Sequence, residues 1–206
     1  MKLEMNVIGI TGSSGAGKST VCDILQSGYQ VKVINADKIA KELSKRGTSY
    51  LDEIAETFGE DILDENGELK RKKLAELIYN DTKKRKQLNM CTFKYIKREI
   101  TSKINKARND NVTIIIDAPL LFECELDELC NMVIGVVSQR DIQIERIVAR
   151  DNVDYEHAEK RLDAQEGNDF YIKRCDNIIV NNNDIASVKE EVSNIAIKCN
   201  ITKKLQ

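Results

Sequence analysis

The sequence predicts an α/β protein: a three-layer sandwich in which about five parallel strands lie between helices, interrupted by a helical insert and a small lid. Three observations predict it. Short apolar runs alternate with segments of helical periodicity along most of the chain, and a glycine-rich turn joins the first run to the first helix. About 75 residues, far more than a crossover connection needs, then separate the second run from the third.

The run MNVIGIT over residues 5–11 is short and apolar and reads as a buried first strand. Val21, Ile24 and Leu25 recur at helical spacing within residues 17–27, and Gly28 stands where a helix should stop. VKVIN at 31–35 is a second strand, followed by the helical stretch ADKIAKEL. VTIIIDAP from Val112 is a third strand, MVIGVV from Met132 a fourth, and IIVNN from Ile178 a fifth. The last helix carries Ile185, Val188, Val192, Ile195 and Cys199 in steps of three or four, the stripe of a helix lying on a sheet. Within the long gap LKRKKLAELIY reads as a short helix, while Leu88, Cys91, Tyr95, Ile100, Ile104 and Ala107 fall near one face of a long one. The only proline, Pro119, follows the third strand, where a missing amide donor is tolerated.

Composition bounds the function. The 206 residues are 41% hydrophobic and 32% charged, which suits a soluble globular chain and excludes a disordered one. No apolar run approaches the roughly 20 residues of a bilayer span. The start, MKLEMNVIGIT, carries Glu4 and lacks the apolar stretch and cleavage site of a secretory signal, so the expected location is cytoplasmic. Six cysteines without a CxxC pair read as reduced structural thiols. The single histidine, His157, excludes a His-rich zinc site and reads as a surface residue. A net charge of -2 gives no global pull toward nucleic acid or membrane. Yet 14 of the 32 Lys and Arg lie between Lys70 and Arg108, against three of the 34 Asp and Glu. That segment is either a pair of solvated basic helices or a surface that receives a polyanionic ligand.

The strongest chemical signal is GSSGAGKS at residues 12–19, which fits the phosphate-loop pattern G-x-x-x-x-G-K-[ST] between a strand and a helix. Its glycines let the amides of Ser13, Ser14, Gly15, Ala16, Gly17, Lys18, Ser19 and Thr20 converge at a helix N-terminus, where they and the helix dipole hold phosphate oxygens. Lys18 is then the point charge on the β- and γ-phosphates of ATP, and the Ser19 hydroxyl a ligand of Mg²⁺. A dinucleotide fingerprint fails, because Thr20 occupies the position that needs a third glycine. The fold is therefore expected to be a P-loop NTPase sandwich. Asp37, after the second strand, stands either to accept a hydroxyl proton or, with Asn35, to cap the following helix. Asp117, closing the third strand, is placed to hold magnesium through water or to cap a helix. Arg146, Arg150 and Arg161 belong to a polar segment that either brings charge to a transferring phosphoryl group or pairs with Glu145, Asp151 and Glu159.

Taken in order, VIGITGSSGAGKST, VINADKIAKEL, IIIDAPLLFE, IERIVARDNVDYEHAEKRLDAQ and DNIIVNNND resemble the dephospho-coenzyme A kinases, the last enzymes of coenzyme A synthesis. DAPLLFE is the most telling, since generic P-loop kinases do not need it. The resemblance implies ATP-dependent phosphorylation of the ribose 3′-hydroxyl of dephospho-coenzyme A, with Asp37, Lys18 and Arg150 catalytic and Arg146 on ATP. It also implies acceptor contacts at Asp37, Phe93, Lys94, Leu120 and Arg161, and Mg²⁺ held by Ser19 and Asp117. The expected division is a nucleotide-binding core over 1–40, 110–150 and 175–206, an acceptor insert over 41–109 and a lid over 150–174. Three positions depart from the family pattern: Asn35 replaces the first acid of Asp-x-Asp, Phe93-Lys94 replaces a His-Pro pair, and Glu166 follows the lid glutamine Gln165 in place of methionine or proline. Two other readings stay open: a kinase for another nucleoside or nucleotide, and a nucleic-acid-stimulated P-loop ATPase. Neither a nucleic-acid nor a membrane partner is expected.

Overall fold

Strands β1 (Val7–Thr11) and β3 (Thr113–Asp117) are buried along their whole length, and β4 (Met132–Val137) nearly so, which is why these runs show no polar alternation. They come together in a computed structural model that describes residues 6–79, 81–107, 110, 112–182 and 184–204. Met5, expected to open the first strand, and Arg108 and Asn109, expected at the end of the insert, lie outside the described residues. With β2 (Val31–Asn35) and β5 (Asn177–Val180) they form one sheet of order β2-β3-β1-β4-β5. β1 pairs in parallel with β3 on one side and β4 on the other, Ile10 opposite both Asp117 and Ile134. The order turns back at β1, so the loop after it borders the crevice that open α/β sheets present at the carboxyl ends of their strands.

Helices α1 (Lys18–Gly28) and α9 (Ile185–Lys198) pack on this sheet through Val21, Cys22, Leu25, Val188, Val192 and Ala196, against Ile8, Ile10, Ile115, Ile134 and Val136. The predicted α9 stripe holds except at its start. Ile185 is exposed because it directly follows the N-cap Asp184, whose carboxylate accepts the Ala186 and Ser187 amides.

The described residues divide into two compact units, one of them spanning Asn35–Asn105 and the other built from the chain on either side of it. The second unit thus begins before residue 41, the expected start of the insert, and takes in Asp37. It contains α2 (Ala36–Leu43), α3 (Ser49–Phe58), α4 (Arg71–Tyr79) and most of α5 (Thr82–Lys106). Its own core joins Tyr50, Leu51, Ile54, Ile62, Leu74 and Cys91. On α5 the buried positions are Cys91, Ile96, Ile100 and Ile104, so the predicted face gains Ile96, while Leu88 and Tyr95 are half-buried at its margin and Ala107 lies just past the helix.

Candidate active site

In the first unit the chain leaves β1 into a loop whose backbone only glycine can follow. Gly12 has φ +146° and Gly17 φ +97°, and a Cβ would overlap the Val136 carbonyl at the first and the Asn181 side-chain amide at the second. The loop is thereby pressed against β4 and β5 and ends at Lys18, the first residue of α1. The Lys18 ammonium folds back over it, donating to the carbonyls of Gly12 at 2.6 Å and Ser13 at 3.2 Å.

Helix α6 (Arg140–Asp151) supports the loop through one polar stripe, Gln143, Arg146 and Arg150, at helical spacing. Gln143 is 4% exposed and its side-chain nitrogen donates to Ser13 Oγ at 2.6 Å and to the Ser14 carbonyl at 3.2 Å. Arg146 donates to the Gly15 carbonyl at 3.2 Å and to Asn181 Oδ1 at 3.3 Å. Arg150 reaches Ser14 Oγ at 3.3 Å while forking onto both oxygens of Asp151 at 2.8 Å. Asp151 also accepts from Arg161 at 2.7 Å, and the Arg150 guanidinium, with Arg161, holds its carboxyl below the usual carboxylate range. Asn181, following β5, donates to the Ala16 carbonyl at 2.9 Å. Of the acids weighed as surface partners, Asp151 holds two arginines, while Glu159 lies by Arg140.

Asn35 is the N-cap of α2, its side chain accepting the Lys38 amide at 2.8 Å. Asp37 is the second residue of α2, two positions past that cap, and is exposed, so its carboxylate is not the cap. Asp117 closes β3 and is 9% exposed. The residues after it form turns up to Glu125, so a regular helix for it to cap does not follow. Leu120 lies in those turns, 45% exposed, and helps to line a cleft of about 320 Å³ with Gly12, Ser13 and Gln165. Ser19 is exposed in the first turn of α1.

A family model described as Dephospho-CoA kinase matches residues 6–187, a span that holds the phosphate loop, Asp37, Asp117 and the α6 stripe. The chain belongs to the dephospho-CoA kinase family. It is 37% identical to the Dephospho-CoA kinase of Fusobacterium nucleatum over 92% of this chain and 96% of that one. To the enzyme of that name from Staphylococcus aureus it is 33% identical, over 92% and 91%. Among solved structures, a dephospho-CoA kinase from Campylobacter jejuni superposes with a TM-score of 0.62 at 28% identity, covering 95% of this chain and 97% of the other. A Thermus thermophilus protein shares the fold, with a TM-score of 0.79 at 24% identity over 95% and 98%.

Phe93 and Lys94, expected to contact the acceptor, lie on α5. Lys94 pairs with both oxygens of Glu53, at 2.8 and 3.0 Å, and the Tyr95 hydroxyl donates to the same carboxylate at 2.8 Å. Lys94, then Tyr95, hold the Glu53 carboxyl below its ordinary value, and Glu53 in turn raises Lys94. Phe93 is half-buried. Gln143 and Asn181 escaped the sequence reading. A glutamine in register with Arg146 and Arg150 on one helix face was the available signal for the first; the end of a strand on the loop's side of the sheet was the signal for the second.

Proposed function

We propose that the protein transfers the γ-phosphoryl group of ATP to the ribose 3′-hydroxyl of dephospho-coenzyme A. The observation that carries this reading is the glycine-built phosphate loop with its Lys18 and α6 arginines, in a chain of this family. The acceptor oxygen attacks the γ-phosphorus in line, the bond from that phosphorus to the bridging oxygen breaks, and ADP leaves. Asp37, uninvolved in the helix cap, takes the hydroxyl proton or orients the hydroxyl. Lys18 exchanges its loop carbonyls for β- and γ-phosphate oxygens, and Arg150 and Arg146 offset the charge of the transferring group. Phe93, Lys94, Leu120 and Arg161 are assigned to the acceptor.

Ser19 and Asp117 are a hydroxyl and a carboxylate, the hard oxygen donors Mg²⁺ takes beside water and phosphate. Among the described residues no group of three or more His, Cys, Asp or Glu forms a metal cage. Ser19 and Asp117 are the residues that would hold the ion. When bound, Mg²⁺ neutralises charge on the β- and γ-oxygens. The six free cysteines support a reducing, cytoplasmic setting, and no described helix is long and apolar enough to cross a membrane.

The test is ADP release with Mg-ATP and, in turn, dephospho-coenzyme A, adenosine, the common nucleoside monophosphates or no acceptor, with the product mass checked for one added phosphate. Turnover with dephospho-coenzyme A alone is expected. Turnover only with another acceptor would reassign the second unit, where Phe93 and Lys94 depart from the family. Asp37→Asn is expected to lower kcat by about 10²- to 10⁴-fold while ATP still binds. Parent-rate transfer by a folded Asp37→Asn protein removes Asp37 from this role.

A further inference from the structure

Ser14 has every polar group engaged, and by three different side chains. Its hydroxyl accepts from Arg150 at 3.3 Å and its carbonyl from Gln143 at 3.2 Å, both reaching out from α6. Its amide donates to the side-chain oxygen of Gln165 at 2.8 Å. Gln165 belongs to neither α6 nor the loop: it is an exposed residue in the turn between α7 (Tyr155–Asp163) and α8 (Asn168–Arg174). The Ser14 amide is one of the loop donors that a phosphate oxygen would use. While it holds a carboxamide oxygen it is closed to phosphate.

The surroundings of that contact push the same way. The cleft of about 320 Å³ beside the loop is lined by Gly12 and Ser13 on one side and by Asp163, Gln165 and Glu166 on the other, with Glu123 also at its wall. Asp163 is paired with the Arg140 guanidinium at 2.7 Å, so it is the carboxylates of Glu123 and Glu166 that repel a polyphosphate entering beside them. A bound triphosphate therefore competes with Gln165 for one amide and at the same time repels its neighbours.

We infer that Gln165 is a positioning residue that acts through Ser14. Its side-chain oxygen holds the Ser14 amide where a phosphate oxygen would sit, and ATP binding exchanges the two and frees the turn between α7 and α8. The inference rests on the reading that ATP binds this loop. Because a neutral hydrogen bond must be given up, Gln165 weakens ATP binding by roughly 2- to 12-fold.

Calorimetric titration of the full chain with ATP tests this on Gln165→Ala, Gln165→Asn and Gln165→Glu, with melting temperature as the check on folding. Alanine, and asparagine, which is one methylene too short to reach, are both expected to tighten ATP roughly 2- to 12-fold. Glutamate is expected to weaken it by at least as much, since its carboxylate is a stronger acceptor for the Ser14 amide and repels phosphate. A purely structural role gives losses in all three. Unchanged or weaker ATP binding by whichever of the alanine and asparagine variants melts like the parent overturns the inference. Absence of ATP binding by the parent protein defeats instead the functional reading beneath it.

Discussion

Gly17 carries the clearest residue-scale constraint in the phosphate loop. Its φ of +97° is left-handed, and a Cβ there meets the Asn181 amide that donates to Ala16. Gly17→Ala is expected to cost about 1–2 kcal/mol from backbone strain alone, with displacement of Asn181 in addition. In a chain of this size that lowers the melting temperature by roughly 2–8 °C. ATP affinity should fall with it, because the amides from Gly17 to Thr20 lose their common direction. Differential scanning fluorimetry and an ATP titration check both, and a variant with unchanged ATP affinity contradicts the assignment of these amides. The constraint was legible in the motif, since the pattern demands glycine at this position. The partner that enforces it was not, because Asn181 lies 164 residues further along the chain.

At the scale of elements, the second unit has an apolar core of its own, and Ile54 on α3 is fully buried in it. Truncation to alanine removes a buried side chain and leaves a cavity, at a cost of about 2–5 kcal/mol. Since the phosphate loop and α6 belong to the other unit, Ile54→Ala is expected to raise the KM for dephospho-coenzyme A while ATP affinity stays within about twofold. Equal loss of both, measured by steady-state kinetics and ATP titration, would tie the loop to the second unit's core. Helix α3 itself was readable only as part of a helical insert. Its N-cap Thr48 and its terminating Gly59 are in the sequence, but its ten residues span under three turns and offer little periodicity to detect. The strands were readable as short apolar runs bounded by turn residues, and α9 because lying on a sheet imposes a repeating demand along its 14 residues.

For the whole molecule, titrating groups set a window of stability. Ion pairs and helix caps depress Glu53, Asp61, Asp151, Asp154 and Asp184, held chiefly by Lys94, Lys73, Arg150, and the amides of His157 and Ser187 respectively. A depressed carboxylate stabilises the fold above its ordinary pKa, and that contribution is lost as pH falls through the folded value. Burial acts in the opposite sense on the thiols, pushing Cys91 and Cys175 up to about 11 and Cys130 to about 12. Raised thiols stabilise fully below their ordinary value of 9.0 and lose that contribution as pH climbs toward the folded values. The urea midpoint is therefore expected to be flat from about pH 5 to 8 and to drop on both sides. A midpoint that rises between pH 5 and 3 contradicts the carboxylate assignments.

By itself the sequence determined the alternation of strands and helices, the glycine-built loop with Lys18 and Ser19, and the presence of a second, helical unit. Each of these follows from local periodicity, from backbone conformations open only to glycine, or from a gap too long for a crossover. Tertiary structure decided which groups meet across the chain. Asn35 caps α2 and leaves Asp37 out of the cap, Glu53 holds Lys94, Asp151 gathers Arg150 and Arg161, and Gln165 holds the amide of Ser14. Two of these contacts, Lys94 to Glu53 and Ser14 to Gln165, join residues 41 and 151 positions apart, and in each of the five the outcome depends on which donor comes within about 3 Å of which acceptor, a distance that spacing along the chain does not encode.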